Sequence, residues 1–153
     1  MKNLKAQAAM EYLMTYGWAI LIVVIVAAAL FALGIFSPPT GTRCSGFANL
    51  GCPTEWQYDS TAVTFTAVLK NAVGQPVTVT AVDYTVNGET ATGVGVPYNI
   101  AVGATQSSTS AAFIGNGVVA SGNAYSVQVE ITYTVGSGTL SQKDTGTLSG
   151  AAI

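Results

Sequence analysis

Apolar positions are distributed along this chain in two unlike ways. From Gly17 to Phe36 the residues read GWAILIVVIVAAALFALGIF, twenty in succession without a charge or a strongly polar side chain. That matches the ~20 residues a helix needs to cross a bilayer core. The run has no polar face, so a helix made from it is buried all round in its working state. Ser37-Pro38-Pro39 follows and predicts the end of the helix, because proline lacks the N–H and biases its predecessor away from helical angles.

From Thr61 onward the period changes to two, with many β-branched residues, the pattern of half-buried strands. Val63, Phe65, Ala67 and Leu69 alternate with Thr64, Thr66 and Lys70. Gly74-Gln75-Pro76 predicts a turn and Val77 to Val86 the next strand. Asn87-Gly88 is the strongest hairpin signal, since both residues accept positive φ. Weaker strands are predicted at Thr90–Val96, Ile100–Val102 and Ser107–Ile114. Ala124 to Val135 is a long strand with Tyr125, Val127, Val129, Ile131, Tyr133 and Val135 on one face. Gly136-Ser137-Gly138 then turns the chain into a last strand, Thr139 to Leu148. Seven or so short strands with turns every ~8–12 residues predict an immunoglobulin-like sandwich. The fold class is therefore α+β: a long N-terminal hydrophobic helix followed by an all-β head.

Between the two patterns, residues 37–60 show no period and predict an irregular neck. The neck holds both cysteines, Cys44 and Cys52, spaced C-x7-C. In an oxidising compartment such a pair predicts a short disulfide loop, with free thiols as the alternative.

Charge narrows the function classes. Only 8% of the 153 residues are charged and the formal net charge is −2, against roughly 25% charged in ordinary soluble domains. Five Lys and Arg in the whole chain leave no basic patch, so no nucleic-acid partner is expected. Histidine is absent, and two cysteines alone cannot build a four-ligand zinc site. No cofactor or metal is expected. The acids Glu55, Asp59, Asp83, Glu89, Glu130 and Asp144 are dispersed in sequence, and the Gly-x-Gly repeats at 93–95, 115–117 and 136–138 read as turns. No catalytic constellation emerges, so a non-enzymatic role is expected.

One acid is out of place. Glu11 lies in Ala8-Ala9-Met10-Glu11-Tyr12-Leu13-Met14, which otherwise reads as helix entering a membrane. A charge there costs on the order of 2–3 kcal/mol at the bilayer centre, less near the interface, and usually marks a partner. Lys2 and Lys5 supply the positive flank of a cytoplasmic end. A permanent anchor would have no use for Glu11. Nor would a discarded secretory signal, for which Ala32-Leu33-Gly34 offers a small-x-small cut. At the headgroup level the acid would be solvated and mildly favourable near the helix N-terminus.

The segment Lys5-Ala6-Gln7-Ala8-Ala9-Met10-Glu11, followed by Tyr12-Leu13 and the apolar helix, resembles the class III signal of archaeal type IV pilin-like proteins. That signal has a short basic leader, a small residue before the cut, Gln immediately after it and Glu four positions beyond the Gln. Ala6 stands where members of the family often carry Gly. Archaellins usually lack the Gln-to-Glu pairing, so the likeness is to a pilus subunit. The resemblance implies cleavage between Ala6 and Gln7 by a prepilin peptidase, with Lys5, Ala6 and Gln7 as processing residues. It also implies assembly through Gln7 and Glu11, the acid guiding an incoming subunit while it is still in membrane lipid. The new α-amine at Gln7 would be positive, with a pKa near 8.

The expected organisation is a leader at 1–6, a hydrophobic assembly or transmembrane helix at 7–36, a neck with a disulfide at 37–60 and a β-sandwich head at 61–153. The expected function is a subunit of a self-associating extracellular type IV pilus-like filament serving surface adhesion, membrane-bound as a precursor. Two alternatives stand beside it: a monomeric single-pass anchored binding protein, and a minor pilin-like component of a surface assembly.

Overall fold

The computed structural model describes residues 3–33 and 41–153, with side chains from Met10 onward except that of Leu13. The chain divides into two compact units, one holding the helix and one the strands.

The first unit is a single helix, α1 (Asn3–Ala32). It contains no proline and one glycine, Gly17, and is rich in Ala, Leu, Met and Ile. The helix begins before the expected start at Gln7, so the expected boundary at Ala6–Gln7 falls inside it. Leu33 closes the last turn by donating its N–H to the Ala29 carbonyl at 2.9 Å. Residues 34–36 of the expected helix, and the Ser37-Pro38-Pro39 stop, lie outside the described residues, as do Met1 and Lys2. Met10–Ala32 is long and apolar enough to span a membrane, with a mean hydropathy of 2.4 and none of its most apolar window buried.

The described residues of the second unit form nine strands: β1 (Arg43–Ser45), β2 (Trp56–Asp59), β3 (Thr64–Lys70), β4 (Val77–Val86), β5 (Glu89–Val94), β6 (Tyr98–Ile100), β7 (Thr105–Ser110), β8 (Ala124–Val135) and β9 (Gln142–Ala151). All described pairings are antiparallel, in the order β1-β9-β8-β4-β5-β7-β3-β2, with β6 also on β4. The sheet folds over into a sandwich-like half-barrel because β5 serves both layers. Its residues 89–92 pair with β4 and residues 93–94 with β7. Gly93 stands at the crossing, where a Cβ would meet Val82 Cβ at 3.1 Å.

The expected alternation holds where the strands are long. In β3, Phe65, Ala67 and Leu69 are buried, and in β8 so are Tyr125, Val127, Val129, Ile131 and Tyr133. Val63 does not join β3, since it takes φ 55°, a conformation that crowds a β-branched residue. Along β4 the buried set changes parity, from Val77 and Val79 to Val82, Tyr84 and Val86. A bulge between Val79 and Ala81 makes that change; the extra residue bends the strand and turns the next side chains inward. Asn87 (φ 49°) and Gly88 (φ 86°) form the expected hairpin turn. Between the layers, Tyr58, Phe65, Tyr84, Phe113 and Tyr125 form a chain of ring contacts at 5.5–5.8 Å.

The expectation of an irregular neck is corrected by β1 and β2. Residues 41–60 belong to the head: β1 pairs with β9, β2 pairs with β3, and Leu50 between them is 1% exposed in the core. They occupy the side of the half-barrel where the two layers would otherwise gape. Further along the seam, the Trp56 indole N–H donates to the Ser149 carbonyl. Ile153 donates its N–H to the Tyr58 carbonyl and accepts from the Ser60 N–H.

Candidate functional site: the stem helix and the head surface

The residues singled out in the sequence fall on two sites. Lys5, Ala6 and Gln7 lie within the backbone of α1, and their side chains are outside the described residues. Glu11 is on the same helix, exposed, four residues after Gln7. At a rise of ~1.5 Å per residue that separation is about 6 Å, one turn, on one side of the helix. Helical geometry therefore places position 7 and Glu11 on neighbouring turns of one face.

The surroundings of Glu11 are aromatic and thioether-rich. Met10 and Met14 are exposed, and the rings of Tyr12 and Tyr16 stack with centroids 4.4 Å apart. Thr15 turns its hydroxyl back to donate to the Glu11 carbonyl at 3.0 Å, so it carries its own partner within the helix. C-terminal to this group the described surface is aliphatic apart from Trp18 and Phe31. Ile20, Leu21, Ile22, Val23, Val24, Ile25 and Val26 are all at least half exposed. On an isolated helix, so much bare apolar area is stable only against lipid or other helices.

On the head, Cys44 and Cys52 form the expected disulfide, with Cα atoms 6.0 Å apart. Asp144, which sequence reasoning left among the dispersed acids, is a buried acceptor of backbone N–H groups. It is 3% exposed in β9. Its Oδ1 accepts from the Ala48 N–H at 3.0 Å, and its Oδ2 from the Asn49 and Leu50 N–H groups at 2.9 and 2.8 Å. Those amides belong to the loop the disulfide closes. Only the three-dimensional fold could reveal this, since partner and acceptor are more than ninety residues apart.

The fold also unites two acids that the sequence keeps apart: Asp83 and Glu130 face each other across β4 and β8. Lys143 pairs with Glu130 there, on a solvated face where such a pair contributes little. An open hollow of about 240 Å³ is lined by these acids with Thr85, Thr90 and Gln128. A second, of about 270 Å³, lies over Glu55, Trp56, Gln57, Thr66 and Val68. Both fall short of the ~300–1,000 Å³ of enclosed ligand sites. Among the described residues, no three His, Cys, Asp or Glu groups cluster to hold a metal ion.

The head's other polar contacts are largely internal. Thr66 and Thr109 share a hydrogen bond at 3.1 Å, and Thr85 and Thr90 one at 2.8 Å. Asp59 folds back on the amides of Thr61 and Ala62. The Gly-x-Gly repeats serve the backbone: Gly115 and Gly136, both at φ 56°, open tight turns. No protein-family model, no curated protein and no solved structure matches this chain.

Proposed function

We propose that the chain is a structural subunit of an extracellular type IV pilus-like filament, polymerising through α1 and displaying its β head for surface attachment. One observation carries this reading: a single exposed acid, Glu11, stands at the head of a helix that is apolar around its whole described circumference. In lipid the aliphatic surface is satisfied. In a filament the same surface would pack against neighbouring stems, and Ala27, Ala28, Ala29 and Ala32 would let them approach closely. Glu11 then has a partner of opposite charge in the α-amine exposed at Gln7 by cleavage, its own or that of an adjacent subunit. Pairing the two relieves a desolvation penalty each would carry alone. The β head supports the reading through its chemistry: a sparsely charged, hydroxyl-rich sequence, and a short loop closed by a disulfide that suits an oxidising exterior.

The test has two parts. Mass spectrometry of the mature protein is expected to find Gln7 as the N-terminus, and an intact Met1 or Lys2 would instead indicate a monomeric anchored protein. Glu11→Gln is expected to leave membrane insertion intact and to reduce filament yield in sheared cell-surface fractions. Filaments of normal number and length in that variant would overturn the role of Glu11.

A further inference from the structure

We infer that Tyr12, Tyr16 and Trp18 form an interfacial collar that fixes the depth of α1 in the bilayer, holding Glu11 at the level of the lipid headgroups and outside the hydrocarbon. This rests on the membrane-inserted state of the proposed precursor, and not on polymerisation.

Length and hydropathy alone would accept the whole of Met10–Ala32 as the span. That placement puts a carboxylate, two phenols and an indole N–H into hydrocarbon. The exposed residues argue for a shallower setting of this end. Tyr12, Tyr16 and Trp18 are 63%, 53% and 67% exposed, so their polar tips meet whatever surrounds the helix. A hydroxyl placed in hydrocarbon without a partner is strongly penalised, because nothing there replaces its bond to water. Tyr12 and Tyr16 lie side by side with their rings stacked; two phenols can spend at most one O–H on each other. At least one donor is left for a lipid phosphate, an ester carbonyl or water. Thr15, between them, has its hydroxyl bonded to the Glu11 carbonyl and is indifferent to depth. The phenols and the indole, and not the threonine, therefore set the level.

The dimensions agree. Tyr12 to Trp18 spans six residues, about 9 Å of helix, comparable to the polar interfacial layer on one side of a bilayer. Tyr and Trp favour that layer because their rings are apolar and their tips polar. From Trp18 the sequence runs through Phe36 without a charge, nineteen residues, close to the ~20 that cover a bilayer core. Glu11, one residue before the collar, is left where water reaches it. The lipid partner is recognised by no specific headgroup; the chemistry required is a hydrogen-bond acceptor at the hydrocarbon boundary.

Trp18 is one of two tryptophans, so a Trp56→Phe chain carries a single reporter in the helix. The full chain with that substitution is reconstituted in phosphatidylcholine vesicles whose acyl chains are brominated near the headgroup, at mid-chain or near the methyl end. Carbonate extraction first establishes that the protein is inserted; a chain released by carbonate would overturn the membrane reading itself. For the inserted chain, the greatest loss of Trp18 fluorescence is expected from bromines nearest the headgroup, falling with each deeper position. Strongest quenching near the methyl ends would overturn the collar. Adding Tyr12→Phe and Tyr16→Phe together is expected to shift the maximum toward deeper bromines. An unmoved maximum would overturn the phenols as the residues that set depth.

Discussion

Asp144 Oδ2 and the Leu50 N–H, 94 positions apart in the chain, meet at 2.8 Å. The same oxygen accepts from Asn49 and its twin from Ala48. One buried carboxylate thus satisfies three consecutive amides of a loop that has no regular secondary structure of its own. Asp144→Ala would strand the buried Leu50 N–H and leave those of Ala48 and Asn49, on exposed residues, to water. The expected destabilisation is about 1–3 kcal/mol, the cost of one buried donor left unpaired. Asp144→Asn, which keeps the shape but has one acceptor oxygen, is expected to fall between. Urea titration of the full chain in detergent, followed by near-ultraviolet circular dichroism, reads the order; equal midpoints for all three proteins would contradict it.

Gly146 is two residues further along β9, facing inward, and its missing side chain is where the Phe47 ring lies. A Cβ there would overlap the ring carbons Cε2, Cδ2 and Cγ. Gly146→Ala is expected to cost about 1–3 kcal/mol, the ordinary range for overpacking. Phe47→Leu should recover part of that loss when combined with Gly146→Ala. Simple additivity of the two substitutions in a double-mutant cycle would show that the ring and the glycine are not coupled.

The Tyr58 hydroxyl donates to the Gly117 carbonyl at 2.8 Å and accepts from the Val119 N–H at 3.2 Å, all buried. Through it the β7–β8 connection is fastened to β2. Tyr58→Phe keeps the ring contacts with Phe113 and Tyr125 and removes only the oxygen. A loss of about 2 kcal/mol is expected, with faster hydrogen exchange at the Val119 amide. Unchanged exchange at that amide would separate the connection from the hydroxyl.

Alkaline pH should weaken the head. Burial pushes the phenol of Tyr84 well above its usual range, and raises those of Tyr98, Tyr125 and Tyr133 as well. In the unfolded chain these groups ionise near pH 10, whereas in the folded chain they hold their protons longer. The unfolded state therefore binds fewer protons in that window, and the stability they contribute is whole below about pH 10 and falls as pH rises through the folded values. Tyr84→Phe gives up one hydrogen bond to the Ser108 carbonyl but should flatten the fall between pH 9 and pH 11, on the order of the titration of one phenol. An identical slope in the variant would exclude Tyr84 as a principal source.

Long strands and sharp turns were legible in the sequence. β4 and β8 have the bounds their alternation and flanking turns predict, because each buries one face over ten and twelve residues. The two short strands of the neck were not. β1 and β2 have three and four residues, too few to show a period, and they exist because β9 and β3 are there to pair with them. Polar or absent side chains displaced the bounds of two others, β7 from the expected Ser107–Ile114 to Thr105–Ser110, and β9 likewise. β7 turns Ser108 and Ser110 inward, the latter accepting the Phe65 N–H at 2.9 Å, so its buried face reads as a solvent face. β9 was expected at Thr139–Leu148 and lies at Gln142–Ala151. Its inner face runs Asp144, Gly146, Leu148 and Gly150, with the glycines making room for Phe47 and Tyr125. At the stem the balance is reversed: the likeness of Lys5–Glu11 to a class III signal rests on sequence alone. What the structure adds is a helix running through that segment and the exposed company Glu11 keeps.

The bridge between Cys44 and Cys52 gains another meaning from its place in the chain. A pull arriving from the N-terminal side enters the head at Arg43 and would peel β1 from β9, a pairing of only three residues. Peeling stops at Cys44, because the covalent link hands the load directly to Cys52, eight positions on. Those eight steps, about 28 Å of slack at ~3.5 Å per residue, are withheld from extension. The force passes instead toward β2, which is held by β3 on one side and by Ile153 on the other. The bridge thus limits how far a tethered head can give before its aromatic core bears the strain.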